Sequence, residues 1–101
     1  MSKKPKALHQ QICEQLMDFS EFARLNGNAF EYIVYVIRNM VFNSPDRRCT
    51  IEDVMFCLED KAKKDKRLQM AVNRARVFQA VAYLKRRGEI KKIRFILDGK
   101  V

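Results

Sequence analysis

Two arginines and a glutamine, Arg74, Arg76 and Gln79, follow Asn73 at the head of a stretch with helical apolar spacing. An arginine near a helix start can present a two-pronged donor to guanine, worth about 1–3 kcal/mol of discrimination when the geometry is good. Further along stand Lys85, Arg86, Lys91, Lys92 and Arg94. Cations spread in this way neutralise phosphates, and each such contact adds about one unit to the salt dependence of binding. Positive side chains at the positive end of a helix dipole are locally unfavourable, which favours a functional reason for Arg74 and Arg76.

Other chemistries find little support in the residue types. The single histidine, His9, belongs to an N-terminal helix expected to face solvent. His9 and Cys13 are four apart and can share a helix face as two metal ligands, but two more ligands are not identifiable and no metal site is read. Cys13, Cys49 and Cys57 form an odd set without a closely spaced pair, and are expected to be reduced core or edge residues of a cytoplasmic protein. Gly27, Gly88 and Gly99 are isolated turn residues, so there is no glycine-rich phosphate loop. The chain reads as a non-enzyme with no cofactor and no evident small-molecule ligand.

The elements that must position the cationic residues follow from the apolar rhythm. A chain of 101 residues is long enough for one core. Its net charge of +9 is uneven: residues 1–46 balance five Lys/Arg against five Asp/Glu, whereas residues 47–101 hold sixteen against seven. Such an imbalance points to a polyanionic partner. Leu8, Ile12, Leu16, Phe19 and Phe22 predict one amphipathic helix from Lys6 to Asn26, closed by Gly27 as a left-handed cap. Asn28 with Glu31 forms a capping-box signal for a second helix to about Asn43, apolar nearly all round and therefore central. Residues 47–49 read as a short extended piece, and Thr50 caps a third helix with Asp53 at its third position.

The run Lys61–Arg67 is either a solvated helix end or a set of phosphate contacts. Asn73 then caps a helix near 73–87 in which Val77, Ala80, Val81 and Leu84 turn inward, and Gly88 stops it. Residues 89–97 alternate as a strand, and Asp98-Gly99 is a hairpin turn pair. No signal peptide opens the chain, and the apolar run Phe30–Phe42 is too short and too polar for a membrane span.

The order of helix, extended piece, helix, helix and strand over residues 29–99, with Asn73, the inward Val77, Ala80, Val81 and Leu84, and Gly88-Glu89-Ile90 at the turn, resembles the winged helix-turn-helix family of DNA-binding domains. The resemblance implies a mainly α fold with a small β-hairpin. Residues 29–101 would be the winged-helix domain, and residues 1–28 an extra N-terminal helix for packing or dimerisation. It implies double-stranded DNA as partner and a role as a small, cytoplasmic transcriptional regulator, nucleoid-associated in a bacterium. Asn73 would cap the recognition helix. Arg74, Arg76 and Gln79 would read base edges in the major groove, while Lys85, Arg86, Lys91, Lys92 and Arg94 would hold phosphates.

Two interface expectations accompany this reading. Leu8, Ile12, Leu16, Phe19 and Phe22 give the N-terminal helix enough apolar length to join two copies in a homodimer. Phe78 and Tyr83, on the outward arc of the 73–87 helix, are the contact patch of an alternative function: a protein-interaction module on the same scaffold.

Overall fold

The computed structural model describes residues 7–25, 27–44 and 49–88. They form six helices: α1 (Ala7–Gln15), α2 (Phe19–Leu25), α3 (Ala29–Asn43), α4 (Ile51–Ala62), α5 (Lys66–Ala71) and α6 (Arg74–Arg86). None is long and apolar enough to cross a membrane.

The central helix is α3. Asn28 Oδ1 accepts from the Glu31 amide at 2.8 Å, and the Glu31 carboxylate accepts from the Asn28 amide at 3.2 Å, so two otherwise unpaired donors are satisfied at its start. Tyr32, Ile33, Val34, Val36, Ile37, Met40 and Val41 are buried, too many for one stripe, and α3 accordingly packs against all five other helices. On propensity alone Tyr32–Ile37 suits a strand; burial on several sides and a strong cap decide for helix.

The N-terminal segment departs from the single helix its apolar rhythm predicts. It breaks at Leu16–Asp18, and the break is stitched by side chains from elsewhere. The Tyr32 hydroxyl donates to the Met17 carbonyl at 2.6 Å, and the Met17 amide donates to the Tyr35 hydroxyl at 2.9 Å. Lys61, only 6% exposed, donates from Nζ to the Leu16 carbonyl at 2.8 Å and to Asp18 at 3.2 Å. Backbone groups that a continuous helix would pair internally thus find partners on α3 and α4. The break lets Phe19 and Phe22 set their rings edge-on against Tyr32 with centroids 5.3 Å apart. Gly27 is not the left-handed cap expected of it, since the positive φ among the described glycines is at Gly88. Its role is close approach: a methyl group at Gly27 would overlap the Phe22 ring.

Thr50 and Asp53 cap α4 reciprocally at 3.1 Å each way, as their spacing predicts. Asp65 then starts a separate helix, α5, by accepting from the Arg67 and Leu68 amides, and Leu68 anchors it in the core. Asn73 Oδ1 accepts from the Arg76 amide at 2.9 Å to open α6, whose buried residues are Val77, Ala80, Val81 and Leu84. Gly88, at φ 77°, turns the chain after it.

The winged helix-turn-helix expectation, mainly α with a small β-hairpin and an extra N-terminal helix, is therefore corrected. Among the described residues the fold is all-helical, with six helices and no strand. Cys49 lies in a connection, and the predicted wing at 89–97 and its turn lie outside the described residues. Two physical causes carry the difference. Asp65 nucleates α5 between α4 and α6, and the N-terminal segment contributes Ile12, Cys13, Leu16 and Phe19 to the common core.

The cysteine expectation changes as well. Cys13 on α1 and Cys57 on α4, 5.7 Å apart at Cα, form a disulfide across 44 residues, while Cys49 is a free, buried thiol. The expected cytoplasmic setting rested on reduced thiols, and that argument no longer holds for this pair.

Candidate nucleic-acid interface

From Lys66 to Gly88 the chain holds seven Lys/Arg and no Asp/Glu. The stretch comprises α5, a two-residue connection and α6, so the charge is carried on helices with a fixed rotation. The buried stripe of α6 sets that rotation. With about 100° per residue, the direction opposite the stripe is occupied by Ala75, Gln79, Ala82 and Arg86, and all four are exposed. Two alanines on that line leave the helix backbone open to close approach. Arg76 flanks the line on one side and Lys85 on the other, both exposed.

The residues expected to read bases are separated by the geometry. Arg74 and Arg76 lie about 160° apart around the helix axis, so they cannot enter one groove edge together. Arg74 is turned toward α4, where its Nη1 donates to Glu52 Oε2 at 2.8 Å. That contact offsets the unfavourable position of a cation in the first turn of α6, and it gives Arg74 a structural account. Arg76 forms no ion pair among the described residues and keeps its unexplained cost. Asn73 uses its side-chain oxygen as the cap. Gln79, Lys85 and Arg86 remain on the exposed surface, and Lys91, Lys92 and Arg94 lie outside the described residues.

Three further cations that the resemblance did not single out are exposed: Lys66 and Arg67 on α5, and Arg87 at the end of α6. Arg67 is partly committed, with Nη2 2.9 Å from Asp65 and its guanidinium 5.2 Å from the centre of the Phe19 ring. That ion pair holds the Asp65 carboxyl below the usual carboxylate range. The rest of the Lys61–Arg67 run is mostly internal in its pairing. Lys61 is buried, Lys64 approaches Asp18 at 3.7 Å and Lys63 approaches Asp60 at 4.0 Å.

The apolar residues expected at interfaces are largely used inside the molecule. Ile12, Leu16 and Phe19 are buried in the core, Phe22 packs against Tyr32 and Tyr35, and Leu8 is 42% exposed. Phe78 and Tyr83 are partly buried against the core. The Tyr83 ring meets Phe30 edge-on at 6.0 Å and carries the Arg87 guanidinium at 5.5 Å. Burial, with Asp53 adding to it, pushes the Cys49 thiol well above the ordinary thiol range, which is the opposite of what a nucleophile needs.

No protein-family model matches the chain, and no match was found among curated proteins or solved structures.

Proposed function

We propose that this protein binds double-stranded DNA and docks through α6, with no enzymatic activity. The observation that carries the reading is the exposed face of α6, a helix without a carboxylate of its own that presents Arg76, Gln79, Lys85 and Arg86, its rotation fixed by the buried stripe on the opposite side. A helix of this width fits the major groove, and its small outward residues allow the backbone to approach the base edges. Arg76 and Gln79 are the side chains that read bases, because they are exposed and Arg74 is occupied by Glu52. Lys66, Lys85, Arg86 and Arg87 hold phosphates and supply the bulk of the affinity.

Selection from random duplexes tests the proposal. An enriched motif is expected, and Arg76→Ala should relax preference at one base position by about 1–3 kcal/mol while leaving affinity for other sequences nearly unchanged. Lys85→Ala with Arg86→Ala should weaken all duplexes alike. Equal affinity for every duplex would remove the base-reading role of Arg76, and preference for duplex RNA at fixed salt would replace DNA as the partner. The alternative, a protein-interaction module using Phe78 and Tyr83, rests on two side chains that are partly buried against the core, and Phe78→Ala weakening a protein contact while leaving duplex binding unchanged would favour it.

A further inference from the structure

His9 on α1 and Asp53 in the first turn of α4 meet beside Cys49, which immediately precedes the Thr50 cap. His9 Nδ1 lies 3.7 Å from Asp53 Oδ2, and one donor atom from each of His9, Cys49 and Asp53 lies within 4.8 Å of the other two. The imidazole is 5% exposed and the thiol side chain 1%. A sulfur, an imidazole nitrogen and a carboxylate oxygen form a borderline-soft donor set, suited to zinc and poorly suited to calcium or magnesium, which take oxygen ligands. Around zinc, with bonds of about 2.0–2.3 Å, neighbouring donors of a tetrahedron stand roughly 3.3–3.7 Å apart. The present separations need a contraction on the order of 1 Å, within reach of side-chain rotation.

The three donors are also held from outside. The Thr50 amide donates to Asp53 Oδ2, which orients the carboxylate. His9 and Cys13 are one turn apart on α1, as Asp53 and Cys57 are on α4, so the disulfide fixes the two ligand-bearing helices one turn from the donors.

We propose that His9, Cys49 and Asp53 form a binding site for a zinc-class divalent cation, with the fourth coordination position directed to the adjoining cavity. That cavity, about 270 Å³, is lined by His9 and Asp53 together with Glu14, Phe56 and Asp60. A water completes the shell. On binding, the Cys49 S–H bond breaks, the sulfur–metal bond forms and the proton passes to buffer. The thiolate and the Asp53 carboxylate together balance the two positive charges, and the ion ties α1 to the start of α4.

Cobalt(II) titration of the metal-stripped, disulfide-intact chain tests the site, because thiolate ligation gives a near-ultraviolet charge-transfer band and tetrahedral geometry gives visible d–d bands. One equivalent should bind, with zinc displacing it. Zinc at about a hundredfold excess over Kd should raise Tm by roughly 10 °C. Cys49→Ser should abolish the charge-transfer band, and His9→Gln should lower cobalt affinity at least tenfold, while the double variant Cys13→Ser, Cys57→Ser should keep the band. Absence of the band and of a Tm shift in the wild-type chain overturns the proposal without recourse to any variant. Persistence of the band in Cys49→Ser, with loss in the double variant, also overturns it and assigns the metal to an opened disulfide.

Discussion

At the scale of single residues, the most consequential side chains are polar groups committed to backbone partners far away in sequence. Lys61 is the clearest case, a buried ammonium satisfied by the Leu16 carbonyl and Asp18. Lys61→Met should destabilise the fold by about 2–3 kcal/mol, because it removes a charge-assisted hydrogen bond and leaves a carbonyl without its donor. A lowered midpoint in urea at unchanged m-value is the expected reading, and an unchanged midpoint would show that water replaces the ammonium. Tyr32 acts in the same place. Burial, then the charges of Asp18 and Tyr35, push its phenol well above the usual range, so it remains the donor to Met17. Asp65 makes the stability depend on acid. Its carboxyl is depressed below the ordinary 3.8, first by the Arg67 side chain, so its contribution is complete above that value and disappears as pH falls through the lower folded value. Asp65→Asn keeps the cap and drops the ion pair. Unfolding midpoints measured between pH about 5 and about 2 should therefore fall less steeply in the variant.

At the scale of elements, capping and periodicity explain where α3, α4 and α6 begin and which faces they bury, and these were legible in the residues. Asn28 with Glu31, Thr50 with Asp53, and Asn73 are signals whose physics is complete within four residues. The break between α1 and α2 was not legible, since Leu8, Ile12, Leu16 and Phe19 continue one helical rhythm straight through it. Its cause is the pairing of Leu16 and Met17 with Lys61, Tyr32 and Tyr35, which no local pattern encodes. The α1 to α4 junction is covalent as well. In the chain-entropy view a bridge spanning 44 residues stabilises by about 4 kcal/mol. Guanidinium unfolding with and without reductant should differ by roughly 2–4 kcal/mol, and Cys13→Ser should reproduce the reduced value. Coincident curves would place the stability of the junction in packing alone.

At the scale of the whole molecule, the charge is sorted rather than merely abundant. Lys61, Lys63 and Lys64 are offset by Asp18 and Asp60, whereas the segment from Lys66 through Arg87 contains no carboxylate of its own, with Asp65 pairing to Arg67 and Glu52 to Arg74. Association with duplex DNA should therefore depend steeply on salt. Four phosphate contacts from Lys66, Lys85, Arg86 and Arg87 predict a slope of log affinity against log salt of about −3.6, and Arg86→Ala should reduce its magnitude by about 0.9. Fluorescence anisotropy across a salt series reads both, and a flat dependence would argue against any phosphate contact by this face.

The sequence by itself determined the charge asymmetry, three helix caps and the inward stripe of α6, because each depends on neighbours within a few residues along the chain. It could not determine that Arg74 turns to Glu52, that Cys13 bonds to Cys57, or that His9 lies against Asp53 and Cys49. Those pairings join segments 22 to 44 residues apart. Only the packing of α1 and α6 around α3 and α4 brings them within bonding distance, and side-chain chemistry at such range is decided by where the helices cross.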